Sequence, residues 1–153
     1  VFVKGNLFKS KSQTLVNTVN CVGIMGKGVA LVFKKNFPKM YKVYRKQCHA
    51  GKINPGVLTL YKETTPWVLN FPTKRHWRAQ SKIEDIELGL VEFVKRYQEW
   101  GVESIAMPAL GCGHGGSNWD DVRPLIEKHL SNLAVKQYGW KMNQNQSQKP
   151  IQV

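Results

Sequence analysis

Leu15-Val16-Asn17-Thr18-Val19-Asn20-Cys21-Val22-Gly23-Ile24-Met25-Gly26-Lys27-Gly28-Val29-Ala30-Leu31 carries the strongest signal of architecture in the chain. It opens apolar and β-branched, passes through three glycines, and takes up a helical pattern from Gly28, so it predicts strand, glycine-rich loop, helix. Glycines let a backbone approach a ligand closely. The first turn of a helix adds unpaired N–H groups and a partial positive charge, so the expected guest is an anion, phosphate above all. One such loop reads more simply as a tight turn, but this chain contains two.

The second loop is Gly111-Cys112-Gly113-His114-Gly115-Gly116. It follows a short strand over 104–110, in which Pro108 marks a sheet edge or strand end. It precedes a helix that Ser117 or Asn118 caps, with Asp120 and Asp121 in its first turn and Val122, Leu125, Ile126, His129, Leu130 and Leu133 on one face.

Between the two loops the elements alternate. An amphipathic run from Gly28 stops at Pro38, which opens a further helix striped by Met40, Tyr41, Val43, Tyr44 and Cys48 and closed by Gly51. Strands are expected over 57–61 and 67–71. Ser81 and Glu84 have capping-box spacing, and Ile83, Ile86, Leu90, Phe93, Tyr97 and Trp100 repeat at three or four residues up to Gly101, a long helix. Ahead of the first loop, 2–8 alternates loosely and predicts a strand ending near Gly5-Asn6. Beyond Leu133 the pattern decays, with no last strand evident over 134–142. The Gln- and Asn-rich stretch 143–153 reads as a polar tail, leaving 1–142 as one domain. The class is α/β: three layers, α/β/α, around a central mixed sheet. Ligands of such sheets bind beyond the C-terminal strand ends, where both loops belong.

At 153 residues with 42% hydrophobic and 22% charged side chains, the chain has an ordinary globular composition. No apolar run is long enough to span a bilayer, so no membrane partner is expected. Three cysteines without paired spacing fit a reducing, cytoplasmic compartment. The charge is lopsided: 23 Lys+Arg against 10 Asp+Glu gives +13, and no acidic side chain occurs before Glu63. Such an excess serves solubility or meets a polyanion, and its one-sidedness favours nucleic acid.

The motifs narrow the chemistry. Walker A is excluded, since Cys21 stands where its first glycine would be and Gly28 follows Lys27. Gly111, Gly113 and Gly116 match Gly-x-Gly-x-x-Gly, but the further strand and acid of a dinucleotide fold do not follow. Neither the cysteines nor His49, His76, His114 and His129 show ligand spacing, so no metal is expected. His129 reads as a core histidine. The segment Lys74-Arg75-His76-Trp77-Arg78 reads either as a solvated loop over one packed aromatic or as a nucleic-acid surface. Its place on the ligand rim favours the second, with bases stacked on Trp77 and phosphates held by Arg75 and Arg78 beside His76.

Together these residues resemble a family. Asn-x-x-Asn (Asn17, Asn20) before glycines and a helix is similar to the first ligand loop of macrodomains, and Met107-Pro108-Ala109-Leu110-Gly111-Cys112-Gly113 to their second, over about the first 134 residues. The Gly-Cys-Gly form and the Lys ending Asn70-Phe71-Pro72-Thr73-Lys74 resemble the branch that holds the human terminal ADP-ribose glycohydrolase and the DarG-type antitoxins. The stretch 70–86 is most similar to the latter. The resemblance implies ADP-ribose as substrate and product, with no separate cofactor. Its pyrophosphate would lie between Gly23, Met25, Gly26, Lys27, Gly28 and Val29 on one side and Pro108, Leu110, Gly111, Cys112, Gly113, Gly115 and Gly116 on the other, with Asn6, Leu7 and Asn17 completing the site.

Lys74 matches the catalytic lysine and Asn20 the asparagine beside the distal ribose. Gly115 stands where the human relative has an assisting aspartate, which makes His114 the nearest replacement, and Asn6 stands in place of an adenine-contacting acid. Arg75 and Lys27 would favour a neutral Lys74 amine, and the pyrophosphate would oppose it. The implied activity is removal of ADP-ribose from thymine in single-stranded DNA by a monomer. It would oppose a DarT-type toxin, which would be bound through a domain this chain lacks. Other readings are an ADP-ribose-binding module without turnover, a hydrolase of protein-linked ADP-ribose, and a general nucleic-acid binder.

Overall fold

The first strand, β1 (Thr14–Val19), lies at the middle of a six-stranded sheet. The computed structural model describes residues 6–142 and 148–151, with side chains over 6–135. The other strands are β2 (Thr59–Tyr61), β3 (Trp67–Pro72), β4 (Ser104–Pro108), β5 (Lys136–Met142) and β6 (Gln148–Ile151), in the order β2-β3-β1-β4-β5-β6. β3, β1, β4 and β5 run parallel, while β2 and β6 pair antiparallel at the two edges. The sheet is therefore mixed, as expected.

Parallel strands need crossover helices, and these set the layers. From β1 the chain passes through α1 (Gly28–Asn36) and α2 (Pro38–His49) on its way to β3. From β3 it crosses through α3 (Ile83–Trp100) to β4, and from β4 through α4 (Trp119–Leu130) to β5. Strand alternation shows which layer each residue meets. Leu15, Val19, Val68 and Ala106 pack with Val29, Phe33, Met40 and Tyr44, the α1–α2 side. Val16, Leu69, Phe71, Ile105 and Met107 pack with Ile86, Leu90, Phe93, Val122 and Ile126, the α3–α4 side. Two apolar cores thus sandwich one sheet, each large side chain stabilising by about 1.5–3 kcal/mol on burial.

Several local expectations give way to tertiary packing. The strand expected to end near Gly5-Asn6 lies, apart from Asn6, outside the described residues; past it Leu7–Lys9 forms a 3-10 turn capped by Asn6, whose side chain accepts from the Phe8 amide at 2.9 Å. The capping box at Ser81 does not form: Lys82 caps α3 with no side-chain bond, because Ser81 is turned toward the second glycine loop. His129 is not a core residue but ties α4 to α3, its Nε2 3.0 Å from Glu87 Oε1. The last strand does exist as β5, and the stretch read as a polar tail includes β6. An edge strand is held by main-chain bonds, so a polar composition does not prevent it. Residues 143–147 and 152–153 of that stretch lie outside the described residues.

Gly89 makes the α3–β3 contact testable. Glycine inside a helix ordinarily costs about 1 kcal/mol relative to alanine. Here, however, a Cβ would stand 2.3 Å from Cζ and 2.5 Å from Cε1 of Phe71. Gly89→Ala is therefore expected to destabilise by about 1–3 kcal/mol through overpacking, read as a lower urea midpoint. A raised midpoint would contradict the contact.

Candidate active site

The chain leaves β1 toward one face of the sheet and leaves β3 and β4 toward the other, so the three C-terminal ends part around β1. A crevice opens where such connections diverge. It is a cleft of about 550 Å³ walled by Asn20, Ile24, Gly26, Lys27 and Gly28 from the first loop, Thr73, Lys74, Trp77 and Arg78 after β3, and Pro108, Gly111, Gly113, His114 and Gly115 from the second loop. Residues 20, 74 and 114, far apart in sequence, are thereby brought to one space. Val29, at the start of α1, also lines the cleft.

The first loop is built around Asn20. Its Oδ1 accepts from the amides of Val22 (3.0 Å) and Ile24 (3.3 Å), and its Nδ2 donates to the Ile24 carbonyl at 2.7 Å. The Tyr44 hydroxyl donates to the Asn20 carbonyl and lies 3.2 Å from Oδ1, and burial pushes its pKa up so that it stays protonated. Tyr41 donates to the Gly23 carbonyl at 3.1 Å. Asn20 therefore shapes the loop before it touches any ligand, and one Nδ2 hydrogen remains for a guest.

Asn17 corrects the expectation that placed it in the site. It points from β1 into the α1–α2 core, fully buried, where its Nδ2 donates to Asn70 Oδ1 at 3.1 Å across the β1–β3 register. Strand alternation turns residue 17 away from the rim. Leu7, Met25 and Leu110 are likewise core side chains, and Asn6, Gly23, Cys112 and Gly116 do not wall the cleft.

Lys74 is held from three sides. The Val19 carbonyl accepts from the amides of Thr73 (2.9 Å) and Lys74 (3.4 Å), and the Arg75 carbonyl accepts from the Cys21 amide at 3.4 Å, so the β1–β3 pairing continues past the strands. The Arg75 guanidinium grips buried Asp85 on α3 through Nε at 3.0 Å and a terminal nitrogen at 3.2 Å. The partly buried Lys74 side chain donates through Nζ to the Trp77 carbonyl at 3.3 Å.

Burial and then the nearby Lys27 charge lower the Lys74 pKa from the ordinary lysine value. Arg75 is not among the groups that lower it: its guanidinium is paired with Asp85, a partner that no local sequence pattern announces, while its side chain stays 59% exposed. Neighbouring Cys21, its pKa pushed up to about 11 chiefly by burial, remains a thiol at neutral pH and is no competing nucleophile.

At the mouth, Trp77 is 41% exposed, stacked on His76 with ring centroids 5.5 Å apart, and covered by Arg78 at 4.4 Å. Trp77 and Arg78 wall the cleft while His76 stands behind them. Across the mouth Ile24 is 44% exposed. Sequence reasoning passes over Ile24, Thr18 and Thr73, all of which line the cleft. An aliphatic between two loop glycines is the one local signal that points to any of them.

The second loop closes on itself and on α3. Ser117 N–H donates to the Gly111 carbonyl at 2.9 Å, Gly116 N–H to the Gly113 carbonyl at 3.2 Å, and Ser81 N–H to the Gly115 carbonyl at 2.8 Å. His114 sits exposed on the cleft side of this loop.

Known proteins share this arrangement. A family model described as Macro domain matches residues 16–126. A Thermus aquaticus protein named DNA ADP-ribosyl glycohydrolase is 46% identical over 136 residues, which is 86% of this chain and 38% of that protein. The chain thus spans well under half the length of that relative. The solved macrodomain of Mycobacterium tuberculosis DarG superposes with a TM-score of 0.86 at 38% identity, covering 90% of this chain and 94% of its own. A structure of Thermosipho africanus DarTG in complex with ADP-ribose gives a TM-score of 0.86 at 36% identity, covering 95% of this chain and 44% of its own.

Proposed function

The chain belongs to the macrodomain family, and from that premise we propose that it is an ADP-ribosyl glycohydrolase. On this reading it removes ADP-ribose from thymine bases of single-stranded DNA and opposes a DarT-type transferase. The observation that carries the reading is Lys74, a partly buried amine with a lowered pKa, fixed by main-chain bonds between two glycine loops in a cleft.

The glycine loops would cradle the pyrophosphate with main-chain N–H groups and the start of α1. The remaining Asn20 Nδ2 hydrogen would orient the distal ribose. As its pKa falls, a larger fraction of Lys74 is neutral at physiological pH, and a neutral amine has the lone pair that an ammonium lacks. Nζ would attack the distal-ribose anomeric carbon as the bond to the base nitrogen breaks. The electron pair leaves with the base, and the proton lost by Nζ balances the one the base gains; His114, which lines the same cleft, would relay it. Water then replaces Nζ at that carbon and yields ADP-ribose and the free amine. The Nζ adduct is a glycosylamine whose ribose ring would open to an imine as its N–H proton passes to the ring oxygen, and borohydride reduces an imine: a reduced ADP-ribose adduct on Lys74 supports the attack, and turnover with no adduct assigns Lys74 to proton transfer.

The deciding experiment compares release of ADP-ribose from thymine-modified single-stranded DNA with release from a glutamate-modified protein, beside calorimetry with free ADP-ribose. Release from DNA supports the proposal. Faster release from protein would assign the substrate elsewhere, and binding without release from either would make the chain a reader. Lys27 gives a further prediction: Lys27→Met removes a positive neighbour, so the Lys74 pKa rises. The acidic limb of kcat/KM, which reports the free protein, is expected to move to higher pH. An unmoved limb would mean that the neutral Lys74 amine does not set the rate.

A further inference from the structure

The sheet separates the charge of this protein. The layer on one side, α1 and α2, carries Lys34, Lys35, Lys39, Lys42, Arg45 and Lys46 and no acidic residue. The layer on the other, α3 and α4, holds eight of the ten acidic residues, interspersed with Lys95, Arg96, Arg123 and Lys128. Ion pairs follow the same division: Arg75–Asp85, Arg96–Glu92, Arg123–Glu127 and Lys128–Glu87 all involve the acidic side. None of the six basic side chains of α1 and α2 has an ion-pair partner among the described residues. Lys34 instead lies 4.5 Å over the Tyr41 ring. Cations left unneutralised on one face raise the local potential, and a polyanion that settles there releases its own counterions.

This face is continuous with the cleft. Lys27, Gly28, Val29 and Ala30 wall the cleft, and the same turn begins α1. Gly23 of the first loop lies against Arg45 of α2, so close that a Cβ there would sit 3.4 Å from Arg45 Cγ. A chain of phosphates leaving the mouth beside Ile24 would pass directly onto exposed Arg45, Lys42 and Lys46. The face offers little to a lipid surface, since its large exposed apolar side chains are Val32 and Val43, while the rings of Phe37 and Tyr41 are partly buried against the core.

We propose that the α1–α2 face is the track for the single-stranded DNA flanking the modified base. The cleft selects the ADP-ribosyl group, and the basic layer holds the strand that carries it. This inference rests on the proposed substrate for the link between cleft and strand, but the track itself is testable with unmodified DNA.

The probe is a long unmodified single-stranded oligonucleotide, titrated over a range of salt. Three proteins are compared: the unsubstituted chain, the exposed triple variant Lys35→Gln, Lys42→Gln, Lys46→Gln, and a control that removes the same charge from the other layer, Lys95→Gln, Arg96→Gln, Lys128→Gln. The first triple is expected to weaken binding at least about tenfold at low salt and to flatten the salt slope by up to about 2, given roughly 0.7 per phosphate contact on a single strand. The control triple is expected to bind like the unsubstituted chain, and both are expected to hold free ADP-ribose unchanged. Loss of KM advantage for long over short modified oligonucleotides, with kcat unchanged, in the first triple alone would add to the support.

Equal losses in both triples would overturn the track, since net charge alone would then explain binding. No loss in the first triple would overturn it too, as would polyglutamate of matched charge bound as tightly as DNA. If unmodified DNA binds through this face and modified DNA is not cleaved, the track stands and the glycohydrolase reading falls.

Discussion

Lys74→Ala is expected to slow ADP-ribose release from thymine-modified DNA by at least about 100-fold, the lower end of what a positioned acid, base or nucleophile contributes. Binding of free ADP-ribose is expected to change less than tenfold, because the proposed cradle is main chain and the Lys74 amide stays on the Val19 carbonyl whatever its side chain. The bland account of Lys74 is a phosphate contact, and Lys74→Arg separates the two. An arginine keeps the charge and would satisfy a phosphate, but its guanidinium stays protonated in proteins and has no lone pair for either chemistry. Lys74→Arg is therefore expected to be as inactive as Lys74→Ala while binding ADP-ribose at least as well. Activity within a few-fold of the unsubstituted chain in either variant would remove Lys74 from the chemistry.

Gly115→Ala is expected to damage the site from the opposite wall. A Cβ on residue 115 would fall 2.4 Å from the Gly111 carbonyl oxygen and 2.2 Å from Ser81 Oγ. The hydroxyl of Ser81 is buried without a hydrogen-bond partner among the described residues, and the Gly111 carbonyl is held by the Ser117 amide at 2.9 Å. The methyl must therefore open the loop and loosen the Ser81–Gly115 bond that fastens it to α3. Overpacking of this kind costs about 1–3 kcal/mol, which corresponds to a melting temperature lower by about 2–4 °C per kcal/mol in a chain of this size. ADP-ribose affinity is expected to fall more than tenfold, since the displaced amides are the proposed diphosphate ligands. Calorimetry and a thermal melt read the two effects, and a variant that binds ADP-ribose normally would show that this loop is not the cradle. Gly113→Ala makes the informative comparison: Gly113 is exposed on the same loop, and a smaller effect is expected there.

The extent to which the site was legible differs residue by residue. The β1–loop–α1 unit could be read directly, because an apolar β-branched run, glycines and a 3.6-residue period are local patterns within 15–31. The same holds for the second loop and for Asn118, which caps α4 by accepting from the Asp120 amide at 3.0 Å. Lys74 was legible through family resemblance, since nothing in its own spacing distinguishes it from the many other lysines. Ser81 misled because capping-box spacing is local, whereas its actual neighbours, Gly111 and Gly115, come from a loop some thirty residues on.

The alternation of elements, the two anion-ready loops and the excess of positive charge in the first half are properties of neighbouring residues and can be read along the chain. Where each side chain's partner stands depends on the folded arrangement. Asn17 faces Asn70 in the core, Arg75 is paired with Asp85 on α3, and Asn20 holds its own loop together. The structure also turned a lopsided composition into two oppositely biased layers divided by a sheet. Hydrogen bonds and desolvation act over a few ångströms between residues tens of positions apart, so no pattern along the chain specifies them until the strands are paired.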